Sequence, residues 1–155
     1  MSDTWTIRPA RTDELSIVLH HRRQMFVAMG DTDVQALDDM ERASQAVFGE
    51  AMRNGTYRAW FVDAAGEVVA GGGVLLVPFQ PSPRQPQPLR PFIVNVYTEP
   101  QYRRRGLARR LLEEMVAWCR AQGYGAVSLH AAEEGRPLYE SLGFLPTNEM
   151  RLKLR

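Results

Sequence analysis

Apolar and polar positions alternate along this chain in a way that predicts a succession of strands and helices. Short alternating or aromatic runs are typical of strands, and apolar positions that recur every three to four residues are typical of amphipathic helices. The predicted strands are Trp5–Arg8, Tyr57–Asp63, Glu67–Val77, Phe92–Thr98 and Ala126–His130. The predicted helices run from Thr12 to about Ala28, from Val34 to Asn54, from about Arg105 to Ala121 and around Leu138–Leu142.

Three segments depart from this regular pattern. Gly71–Gly73 lies inside a predicted strand, which indicates either a bulge or a second backbone that approaches closely. Residues 78–91 hold six of the ten prolines and are predicted to form an exposed loop, either a wall of a substrate site or a passive hairpin connection. Beyond Phe144 the tail alternates apolar with basic residues, which predicts a final strand.

Strands and helices that alternate over 155 residues indicate one α+β domain spanning residues 1–155. A single cysteine, Cys119, excludes an internal disulfide framework and a cysteine-rich metal site. No apolar run approaches the roughly 20 residues that a membrane span needs. The first residues also lack the pattern of a signal peptide, so we expect a soluble, cytoplasmic protein with no membrane partner.

Charge is balanced overall and unbalanced locally. Lys and Arg number 19 against 18 Asp and Glu, and this near balance argues against a nucleic-acid partner. Residues 31–50, however, hold six acids against Arg42 alone, a net charge of −5, while residues 103–110 hold five arginines and no acid. Each cluster fits either a solvated helix face or a binding surface.

The basic cluster lies at a predicted junction of strand, turn and helix. The strand that ends at Thr98 leads through a turn into the helix after Arg105. Gly106 and Ala108 leave little side chain over the first helical turn, so backbone amides are exposed at the positive end of the helix dipole. Such a turn can bind a phosphate, although the same residues also fit a helix that merely begins with a glycine.

A second element further along the chain makes this pattern more specific. The two stretches read Arg103-Arg104-Arg105-Gly106-Leu107-Ala108 and Tyr139-Glu140-Ser141-Leu142-Gly143-Phe144. With both motifs in this order and spacing, the chain resembles the GCN5-related N-acetyltransferase superfamily. The resemblance implies a mixed, mostly antiparallel, splayed sheet flanked by helices. It also implies transfer of an acetyl group from acetyl-CoA to a primary amine by direct attack in a ternary complex, without a metal.

Carried over residue by residue, the resemblance implies a cofactor site. The backbone of Val96 and Thr98 would pair with the pantetheine arm where the fourth strand splays from the fifth. The amide of Val96 or Tyr97 would polarise the thioester carbonyl, and Tyr139 would protonate the departing CoA thiolate. The pyrophosphate would be held by a run of consecutive residues, namely Arg103, Arg104, Arg105, Gly106, Leu107, Ala108 and Arg109.

The resemblance defines the general base less well. Many members of the family carry a glutamate on the fourth strand, whereas Phe92–Tyr97 contains no acid. His130 follows the fifth strand and is therefore the candidate base, with Glu133 and Glu134 as neighbouring alternatives.

Other interpretations stay open. The missing acid also fits a CoA-binding sensor that does not turn over, and a longer acyl-CoA is an alternative donor. The acceptor is either a small-molecule amine or the amine of a protein or peptide, and Asp31 and Asp33 are candidates to attract it. Because dimers are frequent in the family, the resemblance also implies a homodimer.

Overall fold

The computed structural model describes residues 4–155, which form five strands and four α-helices. The strands are β1 (Trp5–Pro9), β2 (Tyr57–Ala64), β3 (Glu67–Pro78), β4 (Leu89–Thr98) and β5 (Ser128–Leu129). The helices are α1 (Leu15–Ala28), α2 (Val34–Asn54), α3 (Leu107–Ala121) and α4 (Arg136–Ser141). The sheet has the order β1-β2-β3-β4-β5, with β1 to β4 antiparallel and β5 parallel to β4. The predicted α+β architecture with a mixed, mostly antiparallel sheet is confirmed.

Helices cover both faces of the sheet and bury two apolar cores. On one face, Leu111 and Met115 of α3 are fully buried. On the other face, Val18 of α1 and Phe48 of α2 pack against Phe61 of β2. Alternate residues of β2 reach the two cores, because successive side chains of a strand point to opposite faces. Within residues 4–155, no helix combines the length and apolarity required to span a membrane.

Local signals explain where the first two helices begin and end. The Asp33 carboxylate accepts a hydrogen bond from the Ala36 amide at 3.1 Å and so caps the start of α2. Gly55 ends α2 with a φ of 82°, a conformation that glycine adopts readily. Helix α1 begins later than predicted, because Thr12–Glu14 form a 3-10 turn in which Arg8 binds the Glu14 carboxylate at 2.8 Å.

The three consecutive glycines make room for side chains that cross β3. A Cβ atom at Gly71 would lie 2.8 Å from Nδ1 of His21, and one at Gly73 would overlap the Tyr57 phenol. Side chains therefore approach here, and the expectation of a second backbone is wrong. The alternative expectation of a bulge is met on the partner strand, because the register of β3 and β4 shifts between Gly71 and Gly73.

The proline-rich segment is mostly a continuation of the β3–β4 hairpin. Pro78 pairs with Leu89, and Ser82 pairs with Gln85 at the tip, so β4 starts three residues earlier than predicted. The Gln87 side chain donates to the carbonyl of Gly123 at 3.3 Å, which docks the loop on the segment after α3. The loop thus extends beyond the end of the sheet and packs on the chain that leads into β5.

The last part of the sheet differs most from the sequence-based expectation. The predicted buried strand over residues 126–130 is only two residues long, and Ala126, Ser128 and His130 are exposed. The predicted final strand is absent, because residues 142–155 carry no regular secondary structure. An alternating pattern forms a strand only when a neighbouring strand accepts its hydrogen bonds, and no described strand pairs with the tail.

Candidate functional site

A gap opens between β4 and β5 beside the second half of β4. The two strands pair only at Phe92 with Ser128 and at Ile93 with Leu129. From Val94 to Thr98, the edge of β4 that faces away from β3 therefore has no strand partner among residues 4–155. Unpaired backbone groups on such an edge can bind an extended ligand as an added strand. The splayed geometry implied by the resemblance is present at the expected residues.

A bulge in β4 lies directly beside this gap. Gly71 pairs with Tyr97 and Gly73 with Val94, so Asn95 and Val96 together oppose Gly72. Asn95 has a φ of 62°, which non-glycine residues adopt rarely. A bulge of this kind reorients the backbone groups of the bulged strand. The amide of Val96 is consequently at the point where β4 changes direction beside the gap.

Two polar side chains hold the Asn95 side chain beneath the bulge, and a third binds one of these two. Asn95 is buried, its Nδ2 donates to Oη of Tyr57 at 3.1 Å, and its Oδ1 accepts from Nη1 of Arg22 at 2.9 Å. Nε of Arg22 also donates to Oγ of Ser44 at 3.1 Å. We call Arg22, Ser44, Tyr57 and Asn95 the bulge network. Gly73 leaves space for the bulge network, because a side chain there would displace Tyr57.

Sequence reasoning missed the bulge network, although two signals pointed to it. Asn95 interrupts an almost continuous apolar run, and a buried amide needs hydrogen-bond partners. The glycine triplet, in turn, indicates that something large crosses the neighbouring strand. Neither signal names Arg22 or Tyr57, because those residues approach Asn95 from distant parts of the chain.

Arg22 brings a positive charge to the bulge without a neutralising carboxylate. Its guanidinium lies 5.3 Å from the ring centre of Phe26 and 5.2 Å from that of Phe48. Its hydrogen-bond partners in the described chain are the neutral side chains of Ser44 and Asn95. Burial lowers the pKa of Arg22, but a guanidinium stays protonated in proteins.

The turn after β4 presents consecutive backbone amides at the start of α3. Arg104 has a φ of 63° and Gly106 a φ of 78°, so the chain turns sharply twice before the helix. The Arg103 amide donates to the Pro100 carbonyl at 3.3 Å, and the Arg110 amide donates to the Gly106 carbonyl at 3.2 Å. Among the described residues, no backbone carbonyl accepts from the amides of 104–109. These amides form a site suited to a phosphate or another anion.

Two arginines of the arginine loop, residues 103–110, have their guanidinium groups close to aromatic rings. The guanidinium of Arg103 lies 5.5 Å from the ring centre of Tyr97, and its Nε donates to the Thr98 carbonyl at 3.0 Å. Arg105 lies 5.3 Å from the ring centre of Tyr102. Within residues 4–155, four arginines of the loop form no ion pair with a carboxylate: Arg103, Arg104, Arg109 and Arg110.

The two motifs of the sequence meet through α3 and α4. Nη2 of Arg109 donates to Oγ of Ser141 at 2.6 Å, which ties the start of α3 to the end of α4. Tyr139 is half-buried against the α3 core, and its ring meets that of Phe144 edge-on with centres 6.0 Å apart. Burial raises the pKa of Tyr139, so its phenol is protonated at neutral pH.

Three of the residues implied in cofactor binding have side chains or carbonyl groups that other parts of the protein already contact. Leu107 is buried in the α3 core, and the Tyr97 side chain points to the opposite face, where it contacts His21. The Thr98 carbonyl is already bound by Arg103. These residues can therefore serve a ligand mainly through their amides and through the course of the backbone.

The residues expected on the acceptor side are dispersed. His130 is largely exposed, with Nε2 at 3.4 Å from Oε2 of Glu149. Glu133 and Glu134 are exposed in the turn that follows. Asp31 and Asp33 lie on the connection between α1 and α2, on the face opposite α3, and the Asp33 carboxylate is occupied as the cap of α2. The structure brings together the residues that the resemblance implies in cofactor binding, whereas Asp31 and Asp33 lie on the other side of the sheet.

A histidine–glutamate pair at the far end of β4 also escaped the sequence analysis. Nε2 of His20 lies 3.0 Å from Oε1 of Glu99, and His21 beside it is buried. Burial and the adjacent His20 lower the pKa of His21 to about 4, so it is neutral. Glu99 directly follows β4 and is four residues beyond Asn95 in the chain.

Comparison with known proteins identifies close relatives in fold. Residues 18–144 match the model of the acetyltransferase (GNAT) family. A GCN5-related N-acetyltransferase from Ralstonia eutropha JMP134 is 32% identical, with a TM-score of 0.90 over 97% of this chain and 99% of that one. No curated protein matches this chain significantly.

More distant structures share the fold. A predicted acetyltransferase with acetyl-CoA from Clostridium acetobutylicum is 23% identical, with a TM-score of 0.87 over 98% of this chain and 96% of that one. An aminoglycoside N-acetyltransferase in complex with CoA is 16% identical, with a TM-score of 0.73 over 100% of this chain and 97% of that one.

Proposed function

The chain belongs to the acetyltransferase (GNAT) family, and from this premise we propose that it transfers an acetyl group from acetyl-CoA to a primary amine. The acetyl group moves by direct attack of the amine on the thioester in a ternary complex. The observation that carries the proposal is the unpaired edge of β4 at Val94–Thr98, which continues into the arginine loop with its unbonded amides.

The arginine loop is the proposed site of the CoA pyrophosphate. Amides 104–109 supply hydrogen-bond donors at the positive end of the α3 dipole. Four arginines add charge that no carboxylate among residues 4–155 neutralises, namely Arg103, Arg104, Arg109 and Arg110. The pantetheine arm then lies along the edge of β4 at Val96 and Thr98 and leads the thioester to the bulge. Two relatives in fold have acetyl-CoA or CoA bound, which supports acetyl-CoA as the co-substrate.

The bulge network has a proposed role in polarising the thioester carbonyl. Attack by an amine places negative charge on the carbonyl oxygen, and a preorganised amide stabilises that charge. The Val96 amide is the candidate donor, and the side chain of Asn95 holds the backbone just before it. Arg22 anchors Asn95 and adds a positive charge nearby, so we assign it as a positioning residue.

Tyr139 is the proposed acid for the departing thiolate. A phenol titrates near 10 and a thiol near 8.5, so the proton transfer is uphill by about 2 kcal/mol in water. Burial raises the pKa of Tyr139, which adds to that cost and keeps the proton in place until a thiolate forms beside it. Cys119 is not a nucleophile in this scheme, because it is buried and its burial raises its pKa to about 11.

The base is the least defined part of the mechanism. Deprotonating an alkyl ammonium at pH 7 costs about 4.6 kcal/mol, which a base or a desolvated site must reduce. His130 is the proposed base, because its imidazole is accessible and Glu149 lies close enough to orient it. Glu133 and Glu134 stay as alternatives in the same turn.

The acceptor is a small-molecule amine or the amine of a protein or peptide. Relatives in fold include an aminoglycoside N-acetyltransferase and a glucosamine-6-phosphate N-acetyltransferase from Arabidopsis thaliana, so this architecture accommodates amines on sugars. A non-catalytic CoA sensor is the second candidate function, since β4 carries Asn95 and no acid beside the gap. A longer acyl-CoA is the second candidate donor.

A thiol-release assay on a panel of amines, combined with calorimetric binding of CoA, tests the proposal. We expect CoA to bind, and at least one amine to release thiol from acetyl-CoA. Tyr139→Phe should lower the rate by about tenfold or more without weakening CoA binding, in keeping with the usual contribution of a general acid. Binding without thiol release on any amine would favour the sensor, and an unchanged rate for Tyr139→Phe would remove the acid.

A further inference from the structure

Arg22 reaches the bulge with part of its guanidinium unused. A guanidinium carries N–H donors on Nε, Nη1 and Nη2 and has no acceptor of its own. Nε donates to Oγ of Ser44 at 3.1 Å, and Nη1 donates to Oδ1 of Asn95 at 2.9 Å. No other hydrogen bond of this side chain is present within residues 4–155. Both donors of Nη2 and the second donor of Nη1 are therefore left without an acceptor beside the bulge.

The unused donors of Arg22 are open to a ligand. Among the residues of 4–155 that are not exposed, Nε of Arg90 is the only side-chain nitrogen or oxygen atom that lacks a hydrogen-bond partner and is sealed from solvent. Nη2 of Arg22 also lacks a partner, so it must be accessible. The guanidinium lies over the rings of Phe26 and Phe48, 5.3 and 5.2 Å from their centres, which restricts its movement. Donors that are fixed in advance bind an anion at a lower cost in entropy.

The charge of Arg22 lacks a counter-ion as well. Within residues 4–155, no carboxylate forms an ion pair with it. Its neighbour Arg23, by contrast, binds Asp38 at 2.9 Å and Glu41 at 3.6 Å. A half-buried cation without an anion has lost part of its hydration and gained no ion pair in return. The site therefore favours a ligand that brings a negative charge.

Arg22 lies on the side of the sheet that stays open to the amine in the proposed acetyl transfer. In that scheme the thioester carbonyl is bound at the Val96 amide, and the thiolate leaves towards Tyr139, which packs against the α3 core. The side chain of Asn95 points to the other face of the sheet, where it meets Arg22 of α1. The amine can therefore approach from the face of α1 and α2, where the unused donors of Arg22 lie.

The chemistry of these donors matches a carboxylate better than other groups. Nη2 and the remaining donor of Nη1 can hydrogen-bond to the oxygens of a carboxylate, and the single positive charge is balanced by its single negative charge. A dianionic phosphate would need a second cation, and the adjacent Arg23 is already paired with two acids. An amine with further positive charges would be repelled by Arg22.

We propose that the acceptor is an amino carboxylate, whose carboxylate binds Arg22 while its amine attacks the thioester. The inference rests on the proposed acetyl transfer and narrows its acceptor to one chemical class. The amine nitrogen bonds to the acetyl carbon, the bond from that carbon to sulfur breaks, and the nitrogen loses a proton to the base. The departing thiolate takes a proton from Tyr139, and the carboxylate is unchanged. In an α- or β-amino acid only a short carbon chain separates the two groups, so both can lie beside the bulge.

Paired acceptors test this role of Arg22. A thiol-release assay compares kcat/KM for the common α-amino acids and β-alanine with kcat/KM for their carboxamides, which carry a primary amine but no carboxylate. In the wild type, at least one amino acid should exceed its carboxamide by about tenfold or more, the usual effect of a hydrogen bond to a charged group. Arg22→Gln should abolish that preference, and Arg22→Lys, which keeps the charge, should retain part of it.

Arg23→Gln is the matched control for the paired acceptors. It removes a charge from the next position of α1 and should keep the wild-type preference, because Arg23 is bound to acids. If Arg22 acted only by holding Asn95, Arg22→Gln would slow both members of each pair equally and leave their ratio unchanged. That result would overturn the proposal, as would a wild type that uses the carboxamides as well as the acids.

Binding without turnover distinguishes a failure of this inference from a failure of the proposed function. The protein saturated with CoA, which has no acetyl group to transfer, is titrated calorimetrically with the amino acids and their carboxamides. The wild type should bind at least one acid about tenfold more tightly than its carboxamide, and Arg22→Gln should not discriminate. Selective binding with no thiol release on any amine would contradict the acetyl transfer and leave the carboxylate site standing. Equal binding of acids and carboxamides, or no binding of either, would overturn the site.

Discussion

The acidic segment 31–50 and the arginine loop 103–110 have local charges of similar size and opposite sign. They differ in how many of these charges form ion pairs in the folded protein. In the acidic segment, most carboxylates are paired with arginines. Arg23 binds Asp38 at 2.9 Å, Arg53 binds Glu50 at 2.9 Å, and Arg42 binds Asp39. Of the six carboxylates, only that of Asp31 has neither an ion-pair partner nor a hydrogen-bond donor in the described part of the chain. The segment is therefore mainly a self-neutralising helix surface.

The arginine loop lies where cations are unfavourable. The start of a helix is the positive end of its dipole, and a cation there costs about 0.3–1 kcal/mol. The fold nevertheless keeps Arg104 and its neighbours beside unbonded amides, with aromatic rings as the contacts of Arg103 and Arg105. Four of the five arginines in the loop, namely Arg103, Arg104, Arg109 and Arg110, have no carboxylate partner among residues 4–155. A charge cluster that opposes stability and is mostly unpaired is a better indicator of a ligand site than one of similar size that is mostly paired.

The largest effect is expected from Arg22 on α1. Its neighbour Arg23 provides a matched control, because Arg22 has no carboxylate partner in the described chain, whereas Arg23 does. Arg22 has only neutral partners and anchors the bulge, whereas Arg23 is paired with Asp38 of the acidic segment. Arg22→Gln should lower kcat for acetyl transfer by about 10- to 100-fold, somewhat less than the loss of a direct oxyanion donor. The affinity for acetyl-CoA should hardly change, because Arg22 is not part of the proposed pyrophosphate site.

Arg23→Gln removes the same charge from the same helix and should leave kcat within about twofold, because Arg23 binds Asp38 and Glu41 in a partly exposed ion pair and forms no hydrogen bond or ion pair with the bulge network in the described chain. Steady-state kinetics at several acetyl-CoA concentrations separate kcat from KM, and a thermal melt of each variant detects unfolding. Arg22→Lys, which keeps the charge but not the forked geometry, should recover part of kcat. Equal losses of kcat in Arg22→Gln and Arg23→Gln would mean that the bulge network has no positioning role.

An intermediate effect is expected from charge removal in the arginine loop itself. Arg104→Gln with Arg110→Gln should raise KM for acetyl-CoA by about tenfold at low salt, because two unpaired cations beside a pyrophosphate are lost. The difference from wild type should shrink as salt is added. Arg42→Gln with Arg53→Gln is the matched control, since both of these arginines are paired within α2. A rise in KM of the same size in both double variants would refute a local pyrophosphate site.

The smallest effect is expected from Asp31. The sequence predicts that Asp31 and Asp33 attract a cationic amine, and on that basis neutralising the acidic segment would raise KM for the amine. With Asp33 used as a helix cap and Asp38 bound to Arg23, only Asp31 stays available. Asp31→Asn should raise KM for the amine by about twofold or less, as expected for one solvated charge. A larger rise in KM, measured with any accepted amine, would mean that the acidic segment contributes to binding of the acceptor.

Much of the fold followed from local patterns. The helical periodicity of α2 and α3, the Asp33 cap and the Gly55 stop are properties of neighbouring residues, so they were readable before any contact was known. The same holds for the turn at Gly106 and the exposed amides around it. The order and spacing of the two motifs then led to the family.

Contacts between residues that are distant in the chain could not be predicted from local patterns. The glycine triplet was noticed, but Tyr57 and His21, the side chains that require it, come from β2 and α1. The tail was predicted to form a strand because its alternation is real, yet a strand needs a neighbour and the single chain provides none. Strand β5 was predicted to be buried because its residues are apolar, although its outer face is open.

By itself, the sequence determined the helices, most of the strands, the glycine turn before α3 and the family to which they belong, because these depend on residues that are close in the chain. Only the tertiary structure decided which charges are neutralised, why Asn95 is tolerated within β4 and where the sheet ends unfilled. Those outcomes depend on contacts between residues as far apart as Arg22 and Asn95, and hydrogen bonds and ion pairs are decided by proximity in space. Two clusters of similar but opposite charge in the sequence thus became a mostly paired surface on α2 and, at the start of α3, a cluster in which Arg103, Arg104, Arg109 and Arg110 have no carboxylate partner among residues 4–155.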